Sequence, residues 1–503
     1  VVFCDGIIYP SWEPIDKIPG DLYSSLCHYL IICVLMGASM SDIVEAIENC
    51  IGTNAVLKGD AVRERISVWG TNQPMQALAI VRPKNTDEVS SILRLCNEEG
   101  QPIVPQGGMT GLVKAGMPNS SEIAFSMERM NSIIDVDFET ATMTVEAGVT
   151  LQEAQEAADA HDLMLPLDLG ARGSATIGGN LSTNAGGNRV IRYGMTREMV
   201  LGVEAVLADG TILSSLNKVL KNNTGYDLKQ LFIGGEGTLG VITKAVLRLR
   251  PKPKSENTAF VSINDFANVV KLLRRLEVSL SGTLSAFEVM WSSAYKVLTG
   301  DHSHNSRPFP IGASHFVLVE ALGGDPANDK DRFENALGEA LQTGLVTDAL
   351  VAQSESERKS FWNIRDDIPA IRSEFRDGGV ITFDVSVPIS QMEEYLRLVE
   401  NDLKQSWSNA YFYVFGHLGD SNLHLGVHVG PQTEHYRHDI EKIVFNRLNG
   451  RGGSISAEHG IGLIKRDFIG LSRTPEELAL MRKLKVALDP KNILNPGKIF
   501  KLS

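Results

Sequence analysis

Four side chains toward the C-terminal end could bind a metal ion and move a proton: His417, His424, Glu458 and His459. The stretch Phe412–His428 reads as two strands around a short turn. With Asp420-Ser421 as a two-residue loop, His417 faces His424, and such partners hold their Cβ atoms about 4.5–5.5 Å apart on one face. Glu458, in Ser456-Ala457-Glu458-His459-Gly460-Ile461-Gly462, is a third candidate ligand. Two histidines and a glutamate with an open fourth position form a catalytic zinc pattern. The spacing alone does not separate ligands from histidines packed into a sheet. His428 shares the strand parity of His424 and is set aside as structural.

A second stretch suits an anion. Residues 165–194 mix glycine with Ser, Thr and Asn, are nearly free of acids, and contain the pairs Gly178-Gly179 and Gly186-Gly187. Successive N–H groups in such a segment can turn inward around a pyrophosphate. Ser174, Thr176, Asn180, Ser182 and Thr183 supply further donors. A linker would have little use for Ile177, Leu181, Val190 and Ile191, which anchor the stretch in apolar surroundings. The Gly-x-Gly-x-x-Gly spacing of a Rossmann turn is absent there.

The elements that must position these groups follow from periodicity and punctuation. Residues 77–83 read as a strand, and Thr86 as the N-cap of a helix with Val89, Ile92, Leu93 and Cys96 on one face, stopped by Gly100. Thr144–Ala147 reads as a strand, and Thr150 with Glu153 has capping-box spacing. Asp209-Gly210 marks a hairpin. Residues 241–249 close the region as a strand, and Pro251 and Pro253 mark a boundary. Beyond it, Val317–Glu320 and Val380–Val385 read as strands, the latter alternating like one face of a half-buried sheet. Helices are expected at 329–343 and 390–404, packed on one face of an antiparallel sheet that lids the site. Thr474-Pro475-Glu476-Glu477 opens a terminal helix.

The formal charge of −13 argues against nucleic-acid binding, which wants a basic face. A local basic pocket could still hold an anionic substrate. Cysteine is confined to Cys4, Cys27, Cys33, Cys50 and Cys96, which excludes a disulfide framework for most of the chain and fits a reducing, cytoplasmic setting. Residues 1–39 read as an atypical extension outside the fold. The apolar run Tyr29–Met36 is too short to span a bilayer, its flanking acids do not suit a signal peptide, and a weak peripheral membrane contact is the minority reading. Met36 or Met40 would make a natural start, because Ser41-Asp42-Ile43-Val44 opens an amphipathic helix.

From about residue 45 onward the chain resembles the vanillyl-alcohol-oxidase, or PCMH-type, family of FAD proteins. The resemblance rests on 165–194, on Pro105-Gln106-Gly107-Gly108-Met109-Thr110-Gly111-Leu112, on Asn223–Leu228 and on Gly234–Thr243, in that family's order and spacing. The C-terminal half is similar to its D-2-hydroxy-acid dehydrogenase branch. The resemblance implies an α+β fold: a PCMH-type FAD-binding domain of two α/β subdomains (40–255), an antiparallel-sheet substrate or cap domain (256–450), and a C-terminal helical segment returning to the flavin (451–503). It implies FAD contacts from Pro105 through Leu112, from Pro166, Gly173, Ser174, Thr176, Gly178, Gly179, Asn180, Ser182, Thr183, Asn184, Gly187, Tyr193 and Gly194, and from Glu236, Gly240, Val241, Ile242 and Asn495. It implies a divalent metal, zinc by its ligands, on His417, His424 and Glu458. His459 would take the hydroxyl proton while hydride passes to FAD, and Arg365 would grip a carboxylate. A homodimer and an external electron acceptor (a quinone, a cytochrome or an electron-transfer flavoprotein) are also implied.

Pro369, Thr382 and Gly426 depart from the Thr, Lys and Asn associated with D-2-hydroxyglutarate enzymes. A second carboxylate would lose partners there, and burying it unpaired is costly. The departures favour D-lactate or a larger monocarboxylate and leave D-2-hydroxyglutarate open. The rival readings are a flavin-independent zinc hydrolase, an FAD-fold enzyme of the alkyl-glycerone-phosphate synthase type, and a catalytically dead flavoprotein.

Overall fold

A computed structural model describes residues 3–4, 7–8, 40–67 and 73–502. Most of the expected N-terminal extension, including the apolar run at 29–36, lies outside the described residues. The helix anticipated after Met40 spans Met40–Ile51 and buries Ile43, Val44 and Ile47.

Three main sheets follow. A four-stranded sheet orders Val56–Leu57, Ala79–Val81, Ile123–Ser126 and Ile103–Gln106, with the last three strands parallel. The helix Thr86–Glu99 covers it, with Val89, Ile92, Leu93 and Cys96 buried. Its cap is Asn85 rather than Thr86: the Glu88 N–H donates to Asn85 Oδ1 at 2.8 Å. Thr86 already has helical geometry, and its hydroxyl donates to Glu204 Oε1 at 2.6 Å. A five-stranded antiparallel sheet orders Ile212–Ser215, Val200–Val206, Val241–Arg248, Thr142–Glu146 and Ile133–Asp137. Thr150 and Glu153 form the anticipated capping box of Leu151–Asp159. The end of the chain returns to the first sheet, where Ile103 N donates to Ile493 O and Asn495 N to Ile103 O, each at 2.8 Å.

The third sheet has seven antiparallel strands in the order Asp348–Val351, Ser255–Ile263, His315–Gly323, Leu284–Trp291, Tyr411–His417, Asn422–His428 and Ile381–Ser386. Helices pack on both faces, not on one. Four long helices, Phe266–Ser279, Pro326–Gln342, Met392–Ser406 and Arg437–Asn446, bury their apolar stripes against Val261, Val289, Val319, Val385 and Val427. The opposite face takes three other helices, Ser292–Leu298, Glu355–Asp366 and Ile368–Glu374, around an aromatic cluster that includes Phe260, Tyr295, Phe316, Tyr413 and Phe415. Strand side chains alternate between faces. Glu288, Asp384, His417 and His424 therefore all fall on this second face.

Candidate functional site

The two histidines meet through a register different from the one expected. A single 3-10 turn over Leu418–Asp420, with Ser421 in the left-handed region, lengthens the loop. His424 then pairs with Phe415, while His417 pairs with Glu288 on the other neighbouring strand. The shift is by two residues, so parity is kept and both rings share a face, Nε2 to Nε2 at 3.2 Å. Ser386 and Ser454 exchange backbone hydrogen bonds at 2.9 Å, which brings the following turn to the sheet edge. There Glu458 Oε1 lies 3.4 Å from His417 Nε2.

Glu288, which the sequence reading missed, organises this cluster. Its carboxylate is buried, lying 2.6 Å from His417 Nδ1 and accepting from Arg365 Nε at 2.9 Å. With Nδ1 engaged by an acid, Nε2 faces His424 Nε2 and Arg365 Nη2, each at 3.2 Å. Burial opposes a charged imidazole at 417, yet the Glu288 and Glu458 carboxylates raise its pKa to about 9. Burial and the neighbouring cations His417 and Arg365 push His424 far below the ordinary histidine value.

Two overlapping groups bring their donor atoms within 4.8 Å of one another: His417, His424 and Glu458, and Asp384, His424 and His459. Asp384 is the poorer ligand. Its fully buried carboxylate accepts from Lys465 Nζ at 3.2 Å, Glu458 N at 3.1 Å, His459 N at 3.0 Å and Ser456 Oγ at 3.2 Å. Burial would raise the Asp384 pKa, but His459 and Lys465 hold it well below the usual carboxylate range. The alternation at 380–385 thus has a different meaning from a half-solvated face. Thr382 lines a cavity, while Asp384 is sealed beneath the 456–459 turn.

Two cavities meet at Thr110, Gly111, Asn180, Thr183 and His459. The first is a cleft between residues 105–117, 176–183 and 236–242, closed by Asn495. It takes in the expected residues Pro105 through Gly111, Thr176, Gly178, Gly179, Asn180, Ser182, Thr183, Glu236, Gly240, Val241, Ile242 and Asn495. The second has a volume of about 830 Å³ and is lined by Leu112, Gly187, Arg365, His417, His424, Glu458 and His459 among others. Pro166, Gly173, Ser174, Asn184, Tyr193 and Gly194 line neither. Asn184 instead accepts from Arg197 N at 2.9 Å through Oδ1, and Gly194 keeps clear of Glu198, whose Cβ would lie 2.8 Å from an added Cβ.

The cleft fits a dinucleotide. Asn180 Nδ2 and Asn495 Oδ1 are buried without a hydrogen-bond partner, and both residues line it. Buried polar atoms want partners, and a flavin cofactor offers both donors and acceptors. Some of the glycines answer to protein instead of ligand. A Cβ on Gly108 would lie 1.6 Å from Ser174 O, and one on Gly187 2.1 Å from Asp168 O. Gly111 faces open space.

Three more positions emerge only in three dimensions. Arg372 and Arg376 line the larger cavity with Arg365, and Tyr413 lies over Gly426, where an added Cβ would be 1.9 Å from Tyr413 Cζ. Pro369 opens the Ile368–Glu374 helix and lines neither cavity. The only signal for Glu288 was a lone acid inside an apolar strand. Arg372 and Arg376 gave none beyond ordinary surface-helix spacing.

The profile described as "FAD binding domain" matches residues 77–215, and "FAD linked oxidases, C-terminal domain" matches 252–499. The mitochondrial D-2-hydroxyglutarate dehydrogenase of Bos taurus is 42% identical over 421 residues, covering 84% of this chain and 76% of that protein. The Rattus norvegicus protein of the same name is 37% identical, covering 98% and 88%. The D-2-hydroxyglutarate–pyruvate transhydrogenase of Saccharomyces cerevisiae is 34% identical, covering 89% and 92%. Among solved structures, p-cresol methylhydroxylase superposes with a TM-score of 0.72 at 18% identity, covering 92% of this chain and 97% of that one, and so shares the fold. An alkyldihydroxyacetonephosphate synthase gives 0.71 at 18% identity, covering 91% and 84%. The chain belongs to the FAD-linked oxidases, in the branch of the FAD-dependent D-2-hydroxy-acid dehydrogenases.

Proposed function

We propose that the chain oxidises a D-2-hydroxy acid to its 2-oxo acid in the larger cavity, with His459 as general base and a divalent cation on His417, His424 and Glu458. The observation that carries this is the position of His459, which lines both the flavin cleft and the cavity holding the three candidate ligands. Asp384 Oδ2 lies 3.6 Å from His459 Nδ1, which leaves Nε2 to take the substrate hydroxyl proton. Arg365, with its guanidinium 5.3 Å from the centre of the Phe415 ring, grips the substrate carboxylate. Phe375, Tyr413 and Phe415 exclude water around the reacting carbon. FAD in the cleft supplies the two-electron acceptor. A cation on the His2Glu set, zinc by its donor types, supplies polarisation of the hydroxyl. Bound FAD would pass its electrons on to an external acceptor.

The cavity has room beyond a three-carbon acid, and about 830 Å³ lies toward the upper end of ligand-pocket sizes. Arg372 and Arg376 on its wall offer partners to a second carboxylate that Pro369, Thr382 and Gly426 do not. This supports D-2-hydroxyglutarate, the acid named in the relatives, alongside monocarboxylates. An anaerobic visible spectrum of the FAD- and zinc-replete protein tests the reading. D-2-hydroxyglutarate or D-lactate bleaches the flavin and their L-enantiomers do not. A flavin untouched by any of these acids, or bleached equally by both enantiomers, overturns it.

A further inference from the structure

Glu458 and His459 sit on a turn, residues 456–462, that no helix or strand covers. Two buried carboxylates hold it from opposite sides. On the sheet side, Asp384 accepts from the N–H groups of Glu458 and His459 at 3.1 and 3.0 Å, with Lys465 behind it. On the flavin side, Glu236 accepts from Ile461 N at 2.6 Å and Gly462 N at 2.8 Å. The two grips therefore flank Gly460. That residue has φ of 82°, and an added Cβ on it would lie 2.7 Å from Glu236 Oε1, so the turn closes directly onto the carboxylate.

Glu236 is an unusual residue for its backbone. It has φ of 48°, in the left-handed region, within the run Gly234-Gly235-Glu236-Gly237. Glycine would take that conformation without the steric cost a side chain incurs. A buried glutamate in a left-handed conformation among glycines calls for a use of its carboxylate. The residue is itself fixed to the flavin segment: its N–H donates to Ser182 O at 2.8 Å, and its carbonyl accepts from Asn495 Nδ2 at 2.7 Å. Its carboxylate is thus taken up by the turn, while the residue also lines the cleft.

We propose that Asp384 and Glu236 are positioning residues forming a two-point clamp. Asp384 sets Glu458 and His459 against the histidines of the sheet, and Glu236 sets the same turn against the flavin cleft. Misplacing such groups by a fraction of a bond length slows chemistry while leaving ground-state binding nearly intact. The clamp's catalytic consequence rests on the function proposed above; its mechanical consequence does not.

The test is Glu236→Gly, which relieves the backbone and removes the carboxylate. Stopped-flow reduction of the bound flavin and deuterium exchange of residues 456–462 are both read. The limiting reduction rate falls roughly tenfold to a hundredfold, the half-saturating acid concentration and melting temperature stay close to the parent's, and exchange over 456–462 accelerates. A limiting rate near the parent's, or unchanged exchange, overturns the clamp, as does a loss of stability that accounts for the whole rate effect. Glu236→Gln and Asp384→Asn keep volume but turn an amide N–H₂ toward the N–H groups they should accept. They give the same readouts if the glycine variant does not fold, and Glu236→Asp restores part of the rate. If no acid reduces the parent's flavin, the proposed function fails. The exchange arm then decides the clamp alone, with faster exchange supporting it and unchanged exchange overturning it.

Discussion

At the scale of single residues, buried acids hold the site's side chains in place. Glu288 holds both His417 and Arg365. In Glu288→Gln the amide keeps the shape and loses the charge, so zinc affinity and flavin-reduction rate fall roughly 10–100-fold. Equilibrium dialysis against zinc and stopped-flow reduction read the two losses, and parent-like values for both would reduce Glu288 to a packing residue. His459→Gln removes the proposed base, and on that reading it lowers the limiting reduction rate by about 10²–10⁴-fold with FAD content unchanged. A smaller effect would move the proton acceptor elsewhere. His417, His424, Glu458 and His459 were legible because histidine is uncommon in the chain and these four are grouped by short motifs. Glu288 and Asp384 were not, because a carboxylate in a strand declares its role only when the neighbouring strand is known.

At the scale of elements, local rules predicted ends better than partners. The capping box at Thr150, the helix start at Thr474-Pro475 and the stop at Gly100 stand as read. Each depends on residues within one turn of one another. The hairpin at 411–428 was read correctly as a hairpin and in the wrong register, since one 3-10 turn changes the count without changing the composition. The His315–Gly323 strand carries its own pH dependence. His315 is 5% exposed, packs 5.2 Å from the Trp291 ring, and has neither nitrogen hydrogen-bonded. Burial lowers its pKa from 6.5 to about 4. Folding thus favours the neutral ring. Between those two values the unfolded chain takes up a proton that the folded one does not, so stability is full above pH 6.5 and is lost as pH falls toward 4. The ceiling on this loss is about 3 kcal/mol. His315→Phe removes that part of the acid slope, read as melting temperature against pH. An unchanged slope would place the titration elsewhere.

At the scale of the whole molecule, the first sheets line the cleft, the seven-stranded sheet lines much of the larger cavity, and the returning C-terminal segment contacts both. Among the described residues no helix is long and apolar enough to cross a membrane. The large cavity lies where these parts meet, and under the proposed function its arginines bear on which acid is preferred. Replacing both Arg372 and Arg376 with glutamine lowers the ratio of kcat/KM for D-2-hydroxyglutarate over D-lactate by about tenfold or more, since a charge-assisted hydrogen bond is worth about 1.5–3 kcal/mol. An unchanged ratio would show that neither arginine reads the distal carboxylate.

The sequence by itself determined the family and the α+β class, and it singled out the glycine-rich segments and the four side chains that the fold brings together. These are written in contiguous motifs whose glycines, hydroxyls and imidazoles have few other reasons to recur in that order. Only the tertiary structure decided how the motifs act on one another. It placed Glu288 behind His417, Asp384 and Glu236 on either side of the catalytic turn, and two arginines on the wall of the cavity. Each pairing joins residues from tens to hundreds of positions apart across sheet faces. Strand order and register set such contacts, and no local spacing in the chain encodes them.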